Sequence, residues 1–168
     1  MRLFFCFFTL LLASKIALSQ TLDSVHYDWQ VFEIEEQIED ELEPVKRCYV
    51  MSKPKSSKTS YTADREAYIA VSRFADKRNE EVSISAGYEY KIGSKIYVLI
   101  GNRDFNFFTR EDAAWLDTSI KDKIFIEEML RSDSIKVRSD SATGSYAIDE
   151  YSLKGFARAY KRLKQLCS

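Results

Sequence analysis

From Val82 to Tyr88 the chain alternates strictly: Val82, Ile84, Ala86 and Tyr88 are apolar or aromatic, while Ser83, Ser85 and Gly87 between them are small. Successive side chains of a strand point to opposite faces, so a period of two predicts an antiparallel strand with one face on a core. Less regular runs of the same kind occupy residues 27–34, 45–52, 67–74, 95–100, 104–108, 135–138 and 146–149. Between them stand Lys91-Ile92-Gly93-Ser94, Gly101-Asn102-Arg103 and Ser141-Ala142-Thr143-Gly144, residue types suited to tight or left-handed turns. Such short connections join antiparallel neighbours, whereas a parallel pair needs a crossover of about a dozen residues or more. The expected architecture is α+β and mainly β: an antiparallel β-sandwich or barrel-like sheet of about eight strands, with helices packed on it, one of them C-terminal.

Helical spacing appears twice. Over residues 119–131, Ile120, Ile124, Ile126 and Met129 form a loose apolar stripe among Lys121, Asp122, Lys123, Glu127 and Glu128. The C-terminal helix is expected to start at Ser152 as N-cap, with Leu153, Phe156, Ala157, Tyr160, Leu163 and Cys167 following at steps of three and four. Gly155 would then lie one turn into the helix, at a cost of about 1 kcal/mol relative to Ala. Close packing of the helix on the sheet is the expected reason for it. Trp29 is large enough to anchor the first strand in the core.

The N-terminus predicts export. Arg2 is followed by an apolar stretch over residues 3–13, and Ala17-Leu18-Ser19 sets small residues at the cleavage positions before Gln20. Eleven residues are about half of the roughly 20 that a bilayer-crossing helix needs, so cleavage, with no transmembrane anchor left behind, is the expectation. Residues 1–19 are thus read as a signal peptide and 20–168 as a single β-rich domain. Formal charge over the whole chain is −1, from 25 basic and 26 acidic residues, which gives no reason to expect nucleic acid as a partner.

Cys6 would leave with the signal, so the exported chain keeps Cys48 and Cys167. An even pair in an oxidising compartment predicts a disulfide; the alternative is two separate buried thiols. Because Cys167 continues the apolar stripe of the last helix and Cys48 falls in a strand, the bond would staple helix to sheet.

Sites of chemistry are scarce. His26 is the single histidine, no GxSxG, CxxC, HExxH, GxGxxG or Walker-type spacing occurs, and a disulfide would consume both thiols. No catalytic residue, metal or cofactor is expected, and the chain is read as non-enzymatic. The acidic residues Glu33, Glu35, Glu36, Glu39, Asp40, Glu41 and Glu43 read as a solvated loop or short helix between the first two strands. In Lys53-Pro54-Lys55-Ser56-Ser57-Lys58, a connection by composition, Lys53, Lys55 and Lys58 are the candidate contacts for a partner, through phosphate or glycan. The aromatic cluster Phe105, Phe107, Phe108 and Trp115 reads first as core and second as a binding surface.

Five segments in order carry a family resemblance. They are Asp28-Trp29-Gln30-Val31-Phe32, Cys48-Tyr49-Val50-Met51-Ser52-Lys53-Pro54-Lys55, Ala67-Tyr68-Ile69-Ala70-Val71-Ser72-Arg73, Glu81-Val82-Ser83-Ile84-Ser85-Ala86-Gly87-Tyr88, and Asp149-Glu150-Tyr151-Ser152-Leu153-Lys154-Gly155-Phe156 with the terminal Cys167. Together the chain resembles the invasion-associated locus B family of secreted alphaproteobacterial proteins. The resemblance implies a periplasmic, secreted or outer-membrane-associated envelope protein, some relatives of which take part in host-cell entry, and it carries over no catalytic residue. Of that family the chain is similar to the shorter branch with one Cys pair. The reading that follows is a protein that binds another protein or an envelope component, with a small-ligand carrier or an envelope enzyme as alternatives.

Overall fold

The computed structural model describes residues 20–36, 44–75 and 79–168. Residues 1–19, expected to be an export signal, and the acidic residues Glu39, Asp40, Glu41 and Glu43 lie outside the described residues. Among the described residues eleven strands and two helices follow one another: β1 (Gln20–His26), β2 (Trp29–Glu36), β3 (Val45–Ser52), β4 (Ser56–Thr59), β5 (Tyr68–Phe74), β6 (Glu80–Ser85), β7 (Lys95–Ile100), β8 (Arg103–Arg110), β9 (Ala113–Trp115), α1 (Ser119–Met129), β10 (Ser134–Asp140), β11 (Tyr146–Ser152) and α2 (Phe156–Leu166). The strands form one antiparallel sheet in the order β1-β2-β3-β5-β6-β9-β8-β7-β10-β11-β4, with β1 and β4 as its edges.

The sheet is open but curls on itself. Trp29, on the second strand of the order, donates from its indole Nε1 to the carbonyl oxygen of Ser152, on the tenth, at 3.0 Å. Its two ends therefore meet around a single apolar cluster that runs from Trp29, Val31 and Val50 through Ile84, Ile96 and Val98 to Ile135, Val137 and Tyr151. Trp29 is fully buried, as its size predicts, and lies 4.8 Å from the ring of Phe156.

Eleven strands stand where about eight are expected, and the three extra ones share a cause. β1 and β4 are edges, with exposed or half-buried side chains throughout, and β9 has three residues, so none of them buries a face long enough to print a period of two. The run over 27–34 divides at a turn where Tyr27 takes φ 55°, which makes β1 and β2 a hairpin. β2 also absorbs Glu33, Glu35 and Glu36, expected to lie in a loop or short helix, and Glu33 pairs with Lys46 on β3 at 2.9 Å.

β6 departs from expectation in another way. Ser83 and Ser85, on the face turned from the core, are 8% and 2% exposed, so the strand is buried on both sides. Register supplies the reason: Trp115 lies beside Ser83 and Tyr68 beside Ser85, and these large side chains shade the small ones.

Both helices pack on the inner face. On α1, Phe125 meets the rings of Phe105 and Phe107 at 4.9 and 5.2 Å, and Thr118 caps the N-terminus by accepting from the amide of Lys121. Its buried side is Asp122, Phe125, Ile126 and Met129, whereas Ile120, expected in the stripe, is 70% exposed. α2 starts later than the Ser152 cap predicts, with Gly155 at φ 98° as its N-cap. Ser152 ends β11 instead, and its Oγ accepts from the amide of Lys154. The buried positions of α2 are accordingly Phe156, Ala159 and Leu163, leaving Ala157 exposed. Cys167 caps this helix and is bonded to Cys48 on β3, with Cα atoms 5.9 Å apart, inside the range of about 4.4–6.8 Å that a disulfide needs.

Candidate functional site

Opposite α2, which packs against β1, β2, β3 and β5 from the inner side, lies the outer face of the sheet. Its composition follows from register. Across β1, β2, β3 and β5 the outward positions run Gln20, Ile34, Arg47, Phe74 in one row and Leu22, Phe32, Tyr49, Ser72 in the next. A third row continues through Gln30, Met51, Ala70, Ser83, Trp115 and Phe108. Large side chains thus flank three small ones, Ser72, Ala70 and Ser83, on the adjacent strands β5 and β6. The result is an open groove of about 480 Å³ over β3, β5 and β6, with Tyr49, Met51, Tyr68 and Arg47 around that floor and Lys53 and Glu66 also lining it. Small-molecule sites span about 300–1,000 Å³, so the groove is large enough for a ligand.

The walls are held in place. Tyr49 stacks on Phe32 with ring centres 5.1 Å apart and planes 18° from parallel. Arg47 donates from Nη2 to Ser72 Oγ at 3.3 Å and lies 5.3 Å from the centre of the Phe74 ring. Lys53 is ion-paired with Glu66. Burial pushes the phenols of Tyr49 and Tyr68 above their ordinary range, so both stay protonated and able to donate near neutral pH. The floor is nearly closed to solvent, with Ser72 3%, Ala70 7% and Ser83 8% exposed.

Of the three lysines expected to meet a partner, the fold brings only Lys53 to this groove. Lys55 is held by Asp28 at 2.8 Å, and Lys58 lies on the exposed edge strand β4, opposite Ile148 on β11. Phe105 and Phe107 are core, whereas Phe108 is 43% exposed on the outer face, so the cluster divides between its two readings. Tyr49, Tyr68, Ala70, Ser72 and Ser83 go unnamed as site residues in the sequence. The signal available is the pair of small alternating sets, Ala70 and Ser72 against Ser83 and Ser85, but only register shows that they are neighbours and that tyrosines wall them in.

Among the described residues, His26 belongs to an arrangement whose residue types could suggest catalysis. Ser24 Oγ donates to Asp23 Oδ2 at 2.7 Å and is 3.2 Å from His26 Nε2. A nucleophile needs its base to take the hydroxyl proton and an acid to orient that base. Here the hydroxyl proton points to the carboxylate, and Asp23 is gripped at both oxygens by Arg162, at 2.8 and 2.6 Å. This grip holds the carboxyl down to about 2. The arrangement joins an edge strand to a helix. Among the described residues no group of three or more His, Cys, Asp or Glu is placed to hold a metal ion, and no helix is long and apolar enough to cross a membrane.

The family model described as Invasion associated locus B (IalB) protein matches residues 29–164, from the first residue of β2 into the last turn of α2. No curated protein and no solved structure matches the chain.

Proposed function

Because this chain belongs to the invasion associated locus B family, we propose that it is an exported, non-enzymatic envelope protein that recognises a protein or another cell-surface component. The observation that carries this reading is the outward side of the paired strands β7 and β8, which bears Tyr97, Leu99 and Phe108, all more than 40% exposed. Apolar and aromatic side chains grouped on two neighbouring strands of an open face mark an interaction surface. The Cys48–Cys167 bond fits an oxidising compartment, in agreement with the signal read at 1–19 and a periplasmic or secreted location.

Site-specific photo-crosslinking in the producing cell tests the reading. A photoreactive residue in place of Tyr97 is expected to yield discrete envelope adducts, identifiable by mass spectrometry, while the same residue in place of Lys161 on the solvent side of α2 yields none. Absence of adducts from the outer face, or turnover of an envelope substrate that is abolished by His26→Ala, overturns it.

A further inference from the structure

We propose that the groove over β3, β5 and β6 is a glycan-binding site that seats a neutral pyranose ring, an inference that rests on the recognition role above and names its ligand class. Three observations meet there. The first is shape: Ser72, Ala70 and Ser83 leave a trough between larger neighbours, with room for a ring. The second is chemistry of the walls. Tyr49 and Tyr68 offer aromatic surface with a hydroxyl at the tip, and the negative face of such a ring attracts the C–H face of a sugar while the hydroxyl hydrogen-bonds its rim.

The third is a polar group without a protein partner. Ser83 is more than nine-tenths buried and lines the groove, yet its hydroxyl makes no hydrogen bond to any described residue. The neighbouring serines are used: Ser72 Oγ accepts from Arg47 and Ser85 Oγ from the amide of Gly87. A buried hydroxyl is costly when left unmatched, so an occupant that brings its own donor or acceptor is favoured over an aliphatic side chain, which would seal Ser83 from water with nothing to bond.

Charge decides between sugars. Lys53 and Glu66 neutralise each other on the groove wall, and the Arg47 guanidinium is engaged by Ser72 and set over the Phe74 ring. An ionised ligand would therefore have to split the Lys53–Glu66 pair or draw Arg47 away from Ser72 and Phe74 to meet a charge, while losing its own hydration. A neutral pyranoside meets none of that cost and finds aromatic faces, hydroxyls and the Lys53–Glu66 pair as donor and acceptor. Such a ring could come from the envelope of the producing cell or from a foreign cell surface, and the chemistry is shared.

The test uses the full exported, oxidised protein. Saturation-transfer NMR and calorimetric titration are run with a neutral chitotriose, a neutral cellotriose and an acidic sialyl trisaccharide. Two further arms use neutral oligosaccharides released from the producing cell's own surface and neutral N-glycans from a mammalian cell surface, to distinguish the sources. Binding of at least one neutral probe is expected, with amide shifts confined to β3, β5 and β6. Ser83→Ala should weaken it about threefold to tenfold and Tyr68→Ala about tenfold or more, while Ala70→Leu, which fills the trough, should abolish it. Melting curves check that the variants fold; should Tyr68→Ala not fold, the shift map and Ser83→Ala decide. No neutral binding, binding of the acidic probe alone, or affinities unmoved by these substitutions overturns the inference. Failure here with adducts still formed from position 97 overturns the ligand class alone, and failure of both removes the recognition role as well.

Discussion

Asp122, within α1, and Asp23, on β1 against α2, are carboxylates whose surroundings drive them in opposite directions. Asp122 is 6% exposed on α1 and its Oδ1 accepts from the amide of Val82. Burial, reinforced by the nearby Glu81 and Asp117, pushes its carboxyl up from 3.8 to about 6. The folded protein therefore holds this proton more tightly than the unfolded chain does. Its contribution to stability is full below about 3.8 and is lost as pH rises through about 6. For Asp23, gripped by Arg162, the order is reversed: its contribution is present above 3.8 and lost as pH falls through about 2. Asp122→Asn keeps an oxygen for the Val82 amide and removes the buried charge. It is expected to raise stability at pH 7 by about 1 to 3 kcal/mol and to flatten the dependence between pH 4 and 7. Denaturant melts at both pH values check this, and an unchanged slope would assign the pH dependence to other groups.

At the level of elements, α2 shows how a local reading is overruled by packing. The apolar spacing locates the helix, but Ser152 is drawn into β11, where its carbonyl serves the indole of Trp29, and the helix waits for Gly155. A Cβ at Gly155 would stand 1.9 Å from the carbonyl oxygen of His26, and the backbone there is left-handed at φ 98°. The glycine is thus needed for close approach, as its place in the sequence suggests, although the partner is the β1 end of the first hairpin. Gly155→Ala is expected to cost about 2 kcal/mol or more, well beyond the usual penalty of a left-handed alanine, because both the backbone and the contact resist it. A melting-midpoint shift no larger than that of Gly93→Ala, where φ is 70° and the added Cβ meets nothing, would refute the contact. The bulge in β1 acts with this seam: the register shift between Leu22 and Ser24 leaves Asp23 unpaired in the ladder, where it bonds Arg162 of α2.

Across the whole molecule, the disulfide closes a span of 119 residues between an early strand and the terminal helix cap. Constraint of so long a loop is worth about 4 to 5 kcal/mol in the chain-entropy treatment, with measured losses of about 2 to 5 kcal/mol on removing a native bridge. Cys48→Ser with Cys167→Ser should lower stability by about that amount and release α2 first, visible as faster amide exchange in 156–166 than in β7 or β10. Uniform exchange would mean that Phe156, Ala159 and Leu163 hold the helix without the bond. By itself the sequence determined the antiparallel β class, most of the central strands, both helices and the expected pairing of Cys48 with Cys167, because period-two and helical spacings and cysteine positions are local or additive signals. Only the tertiary structure decided which faces those elements present. Edge strands β1 and β4 bury no face and leave no pattern, Ile120 and Ala157 sit outside stripes that spacing alone assigns them to, and Ser83 is buried although it points away from the core. The candidate groove belongs to that second class: its floor comes from β5 and β6 and its tyrosines from β3 and β5, and they become one site only through a strand register that brings residues far apart in the chain side by side.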